Sequence, residues 1–528
     1  MKRVLAVVLA TTVALAACDS GSGGTSESGT PTSGGTLTFA VGSDQGCVDP
    51  QQVGSNDTIY SLRQIVDSLT DQDPRTGKIV PWLAESWDVS PDAKTFTFHL
   101  KSGTTFSDGT PVDAAAVKAN FDAAPKLGPK AQLAIGYLSG LTSTKVLDPK
   151  TVEVTFAQPN AQFLQATSTF SLGLVSIAST RKTPDQRCTD GVVGSGPFVL
   201  DQYVANQSIT LSKRKGYRWG SSLWTKKGEA YLDKLVFRVI PEAGVRTGSL
   251  QSGQVDAIGS VGLADESALK AGGVVLNARA NPGLVFGLLF NNSGALGKDP
   301  AVRHAVLAAI DRQQIVDAIF PTGSKPATSI LAHTTPYYAN LSAKLAHDPD
   351  QAKTLLDAAG WKAGPDGIRT KNGIRLSLAV TWAPNAATNQ PTLELLQQQL
   401  KAVGVEITLK EIQIAQFTEV LVSGKFDVFW GNATRADPDI LRSSFSTHLA
   451  NFYHLSPSAL DQALAGQAAA SDPAKRGALV KQAQELIVEN AYAVPVVELT
   501  TELGVGKNVH NLDFEASSRI QLHDTWKS

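Results

Sequence analysis

The chain has 528 residues, more than one ordinary core accommodates, so two or three domains are expected. Hydrophobic residues make up 42% and charged residues 18%, an ordinary composition for a soluble globular protein. A formal net charge of −1 argues against a nucleic-acid partner, which needs a basic face, and one Met with three Cys leaves little room for a thiolate metal site.

The N-terminus reads as a targeting segment. Lys2 and Arg3 form a basic start, and Val4 to Ala17 carries no charge. That run falls short of the ~20 residues a membrane-spanning helix needs and fits the apolar centre of a signal peptide. Leu15-Ala16-Ala17-Cys18 closes it and resembles a bacterial lipobox, which implies that residues 1–17 are removed and Cys18 carries the lipid. A plain signal peptide with small residues near its cleavage site is the other reading. Residues 18–35 are rich in Gly, Ser, Thr and Pro, a flexible tether with nothing to bury. Cys47 and Cys188 remain. In an oxidising compartment an even pair reads as a disulfide, with two free buried thiols as the alternative.

Thr36 to Val41 alternates polar and apolar residues and predicts the first strand. A loop follows from Gly42 to Pro50, then a helix over Ile59 to Leu69 with an apolar stripe. Thr95 to Leu100 alternates as a half-buried strand, and Asp108-Gly109 signals a turn. Asp113 suits a helix cap, with Val117 and Phe121 on the inner face. An ordinary hairpin and helix would show this periodicity too, but not the residue identities. Trp82, Glu85, Trp87 and Phe106-Ser107-Asp108-Gly109-Thr110-Pro111 in that order resemble the signature of the family 5 solute-binding proteins. Those are the extracytoplasmic receptors of peptide- and nickel-type ABC importers.

Val146, Val152, Val154 and Phe156 predict two more strands, and Gln162 to Thr180 a packed helix and strand. Val193 to Leu200, a glycine turn feeding a strand, resembles a second family landmark. A strand over Leu235 to Ile240, a helix over Glu242 to Leu250 and a strand after Ser252 predict a β-α-β unit with parallel pairing. Asp299 and Pro300 suit the cap and first position of a helix, in which Arg303 resembles a third landmark, more often structural than ligand-binding. Farther on, strands are expected over Ile374 to Val380, Val405 to Leu409, Lys425 to Trp430 and Val494 to Leu499. The helices between them are expected at Leu393 to Val403, Phe417 to Val422 and Ala459 to Ala491.

Chemistry is sparse. The sequence holds no G-x-S-x-G elbow, Walker A loop, H-E-x-x-H or C-x-x-C, and no pair of its 8 His is spaced for one helix face. No catalytic residue, metal ligand or cofactor is therefore expected. For a binding protein the informative loops follow strand ends facing a cleft. Two qualify: Trp382 through Asn385 and beyond, and Trp430 through Asp439, giving Trp382, Asn385, Trp430, Asn432, Thr434 and Arg435 as candidate ligand-binding residues. In the dipeptide and oligopeptide receptors of the resembled family, an Asp three residues before an Asp-Pro pair holds the peptide's ammonium. Here Thr434 takes that place and Arg435 follows, a side chain suited to a carboxylate or phosphate. Alternatively Arg435 pairs with Asp437 or Asp439 on a solvated loop.

The resemblance implies an α/β, two-lobed periplasmic-binding-protein fold (type II, cluster C-like) with an extra inserted subdomain. The expected division is residues 36–80, 191–284 and 499–528 for the first lobe, 81–190 for the inserted subdomain and 285–498 for the second lobe. It implies a monomeric receptor, lipid-anchored at Cys18 outside the cytoplasmic membrane, that delivers an oligopeptide or peptide-like solute to an ABC permease. A sugar, opine-like conjugate or metal chelate on the same scaffold, or a surface enzyme or adhesin, is the alternative.

Overall fold

A computed structural model describes residues 29–528 apart from 385, 414 and 415. The leader, Cys18, the start of the tether and Asn385 lie outside the described residues. In the first lobe, seven strands form one sheet in the order Val275–Ala280, Thr500–Val505, Ala257–Gly259, Thr36–Val41, Lys234–Val239, Ser208–Lys213 and Phe198–Val204. The expected β-α-β unit is parallel, but its strands are not each other's neighbours. Thr36–Val41 lies between them, Phe39 pairing with Phe237 on one side and Ala257 on the other. Leu37, Phe39, Ile59, Leu62, Leu211 and Leu235 anchor the core beneath, and Leu503 and Val505 join it from the far end of the chain.

The inserted subdomain is an antiparallel sheet of Ala84–Val89, Thr95–Leu100, Thr151–Phe156 and Leu141–Asp148. The alternation of Thr95–Leu100 buries Phe96, Phe98 and Leu100 and leaves the residues between them half-exposed. Phe163 sits edge-on to Phe96, Phe121 and Phe156, with centroids 5.1, 5.9 and 4.7 Å away. Asp113 caps the helix Ala114–Ala123 by accepting from Ala116 N. Packing crosses the expected division: Phe170, Val175 and Cys188 enter the first lobe's core, while Tyr217, Trp219 and Trp224 enter that of the inserted subdomain. Buried Asp67 draws the aromatic loop inward, accepting from Tyr217 Oη at 3.0 Å and Trp219 Nε1 at 2.9 Å.

The second lobe's sheet runs Glu406–Glu411, Ser377–Trp382, Val428–Thr434, Gly283–Phe290 and Ala493–Val497, the fourth of these buried along its whole length. Asp299 accepts from Ala301 N ahead of Pro300, and Arg303 donates to Gly297 O at 2.7 Å and Asn490 O at 3.1 Å, a structural role.

Three expectations shift. The helix at Ile59 ends early: Asn56–Leu62 is followed by one tight turn at Arg63–Ile65, and the chain is extended by Val66. Gly196 N donates to Ile65 O at 3.0 Å, and a Cβ on Gly194 would lie 1.8 Å from that oxygen. The glycine turn thus packs directly on backbone that a longer helix would have used. Residues 162–180 form short helical turns at Phe163–Ala166, Phe170–Leu172 and Ile177–Thr180 and no strand. Thr167, Ser168 and Thr169 hydroxyls donate to carbonyls three residues back, at 2.7–2.8 Å, competing with regular pairing. Finally, the strand expected over Lys425 to Trp430 lies at Val428–Thr434. The Cys47–Cys188 disulfide joins the first loop to the helix Pro184–Thr189 across 141 positions.

Candidate functional site

The seam between the lobes is built around the end of one strand. Val428–Thr434 runs antiparallel to Gly283–Phe290, with Thr434 opposite Gly283 and Ala433 opposite Leu284. Gly283 has φ +112°, and a Cβ there would lie 2.3 Å from Ala433 O and 2.6 Å from Arg435 N, so only glycine lets the two backbones meet. Arg435 N donates to Pro282 O at 2.9 Å and pins the strand's exit. Thr434, Arg435 and Ala436 therefore form a fixed lip on the second lobe.

Facing that lip are Leu133 and Tyr137 of the helix Gln132–Tyr137, Gln165 and Thr169–Ser171 of the short-turn segment, and Ser517 and Arg519 of the C-terminal hairpin. They enclose a cavity of ≈ 10 Å³, about the least that holds one water. Gln165 also lines a recess of ≈ 480 Å³, which Thr76–Ile79 and Trp87 bound on one side and Tyr337, Asp437 and Arg476 on the other.

The charges on the lip are unequally satisfied. Asp437 accepts two hydrogen bonds from Arg476, at 2.6 and 2.9 Å, and Asp439 accepts two from Arg442, both at 2.7 Å. With those carboxylates engaged by the helices Pro473–Glu489 and Ile440–Phe445, the reading that pairs Arg435 with Asp437 or Asp439 is corrected. Among the described residues the Arg435 guanidinium has no hydrogen bond or ion pair; it lies over the Tyr137 ring, Cζ 4.9 Å from the centroid. Arg519, only 7% exposed, donates from Nη1 to Ser517 O at 3.2 Å, its Cζ is 5.5 Å from the Phe170 centroid, and its Nε has no partner. Burial pulls the Arg519 guanidinium below its usual range against the opposing charge of Glu515. Burial also raises the Tyr137 hydroxyl, which Arg435 and Arg519 draw partly back.

The candidate residues divide accordingly. Thr434 and Arg435 line the seam, and half-buried Asn432 lies two residues up the same strand. Trp430 is corrected to a core residue: pairing with Gly283–Phe290 carries the strand on to Thr434, so Trp430 lies inside it and not at its end. Its ring stacks on Phe286 at 5.4 Å, and Nε1 donates to Asn389 Oδ1 at 3.0 Å. Trp382 fills the same core, which corrects the expectation of an aromatic-lined pocket between the two. Asn385 lies outside the described residues. Tyr137, Gln165, Phe170 and Arg519 went unforeseen; they sit on short turns and a two-residue-strand hairpin, where no periodicity marks them.

The sequence model of bacterial extracellular solute-binding proteins, family 5 Middle, matches residues 78–451. The glutathione-binding protein GsiB of Shigella dysenteriae serotype 1 is 28% identical over 479 residues, 87% of this chain and 88% of the relative. In fold, the chain is similar to NikA from Brucella suis, solved with Fe(III)-EDTA, with TM-score 0.81, 24% identity and coverage of 94% and 100%. It is also similar to DppA from Helicobacter pylori, solved with the peptide STSA, with TM-score 0.72, 22% identity and coverage of 93% and 99%.

Proposed function

Because the chain belongs to the bacterial extracellular solute-binding proteins of family 5, we propose that it captures an oligopeptide or peptide-like solute between its lobes and passes it to an ABC permease. The observation that carries this reading is the seam itself. A recess of ≈ 480 Å³, the size of a small-ligand site, adjoins a lip with an uncommitted guanidinium, and both lobes contribute walls. The chain crosses between lobes twice, side by side: Asn281 N donates to Leu499 O at 2.7 Å, and Thr501 Oγ1 to Asn281 Oδ1 at 2.7 Å. Two adjacent crossings suit a hinge, in which a few dihedrals absorb opening and closure. A solute of peptide size enters a ≈ 10 Å³ seam only with the lobes apart.

A ligand that binds only the folded state raises its melting temperature. Glutathione and the peptide STSA should therefore raise it, one or both at millimolar concentration, and Fe(III)-EDTA should raise it less. A rise with the chelate alone would sink the peptide reading and favour the metal-chelate alternative. The tether after Leu15-Ala16-Ala17-Cys18 supports anchoring through a lipid on Cys18. Cys18→Ala should move the protein from the membrane fraction to the soluble one with solute binding unchanged; continued membrane partitioning would refute the anchor.

A further inference from the structure

We propose that Arg519 and Arg435, one from each side of the seam, form a clamp for a carboxylate of the solute, so that an anionic group on the ligand draws the lobes together. This rests on the transport reading above and narrows it to acidic solutes.

Both side chains line one cavity of ≈ 10 Å³, and no Asp or Glu lines it with them. Burial in a space with so little water costs the Arg519 guanidinium its hydration, and a bound anion shared with Arg435 would offset that cost. Each has one face taken by an aromatic ring, Tyr137 under Arg435 and Phe170 under Arg519. The rings leave the N–H edges as donors, apart from the Arg519 Nη1 that already serves Ser517 O, and those edges match the oxygens of a carboxylate.

Three other cations of this region hold carboxylates. Arg63 Nε lies 2.8 Å from Glu515 Oε2, and Arg476 and Arg442 hold Asp437 and Asp439. Arg519 differs from these three: it is 7% exposed, pairs with no carboxylate although Glu515 partly offsets its charge, and its Nε, like that of Arg279, meets no acceptor. Thr434, at the head of the lip, supplies a neutral hydroxyl where an acidic side chain would have competed for both cations. Because the two guanidiniums belong to opposite lobes, a carboxylate bridging them exists only in the closed form. Its binding is coupled to closure.

The test titrates the full-length protein with glutathione, with glutathione diethyl ester and with Fe(III)-EDTA by calorimetry. The free acids, glutathione or the chelate, should bind, and capping the glutathione carboxylates should weaken binding at least tenfold. Arg519→Gln and Arg435→Gln should each lose at least tenfold for the free acid and little for the ester, and Arg435→Lys should recover part of that loss. Arg435 is half-exposed, so its variants keep the test open if Arg519→Gln fails to fold. Equal binding of acid and ester, or of wild type and the Arg435 variants, would overturn the clamp while leaving peptide transport standing. Binding of Fe(III)-EDTA alone, lost in both Gln variants, would uphold the clamp and overturn the peptide reading. A wild type that binds neither anionic probe at millimolar concentration would overturn the clamp.

Discussion

Replacing Arg187 by Met should cost about 3–5 kcal/mol of folding stability, the usual result of stranding one member of a buried ion pair. Arg187 and Asp49 are both 0% exposed. Nη2 donates to Asp49 Oδ1 at 3.0 Å and Gln51 Oε1 at 2.8 Å, while Nε lies 2.8 Å from Asp49 Oδ2 but out of line for a hydrogen bond. Met fills the volume but leaves Asp49 with Gln51 N and Gln52 Nε2 as its donors, at 3.1 and 2.8 Å, too little for a carboxylate shut away from water. Adding Asp49→Asn removes the stranded charge and should recover more than half of the loss, read as the shift in urea midpoint at constant slope. Equal losses in single and double variants would mean that packing, not charge, is at stake. The Cys47–Cys188 disulfide fastens the same loop to the same helix, and a bridge over 141 positions is worth ~2–5 kcal/mol in the chain-entropy account. Reduction together with Arg187→Met should therefore cost less than the sum of the two separate losses, because each fastening holds the loop in place for the other and removing either one already weakens its partner.

Periodicity was legible where one face is buried and the partner is local. Thr95–Leu100 and Thr151–Phe156 alternate because they pair with each other over one core, and Asp113 and Asp299 cap where their spacing predicts. What depends on a distant partner was not. The strand Val428–Thr434 runs past Trp430 because Gly283–Phe290 is there to pair with it, and no local signal carries that register. The same extension moved Trp430 from pocket wall to core. Arg435 could be singled out because it departs from a family pattern, yet its freedom depends on Arg476 and Arg442, from the segment that follows, taking the nearby carboxylates. Arg519 carried no signal, since its place across the seam comes from the chain's return to the first lobe after Val497.

Between pH 5 and 8 the protein should lose stability as pH rises, and Asp67→Asn should flatten that loss. Asp67 is fully buried, and burial pushes its carboxyl up to about 7, although Tyr217, Trp219, Arg63 and Arg214 all favour the anion. In the unfolded chain the same group titrates near the ordinary value of about 3.9. Below that value both states are protonated, and the contribution to stability is complete. From about 4 to about 7 the unfolded state has released a proton that the folded state keeps, so stability falls as pH rises. Above about 7 both states are ionised and the slope ends. Asp71, raised to about 6, and Glu502, raised to about 7, lose their contributions in the same window, again mainly through burial. Asn at position 67 keeps an acceptor for Tyr217 or Trp219 and never ionises, so the variant should match wild type near pH 5 and exceed it by pH 8. One proton kept by the folded state alone changes stability by about 1.4 kcal/mol for every tenfold drop in proton concentration. The gap at pH 8 should therefore reach a few kcal/mol, easily read by thermal melts across the range. Parallel melting curves for the two proteins would mean that Asp67 stays ionised in the folded state, with its two donors and two neighbouring guanidiniums outweighing burial.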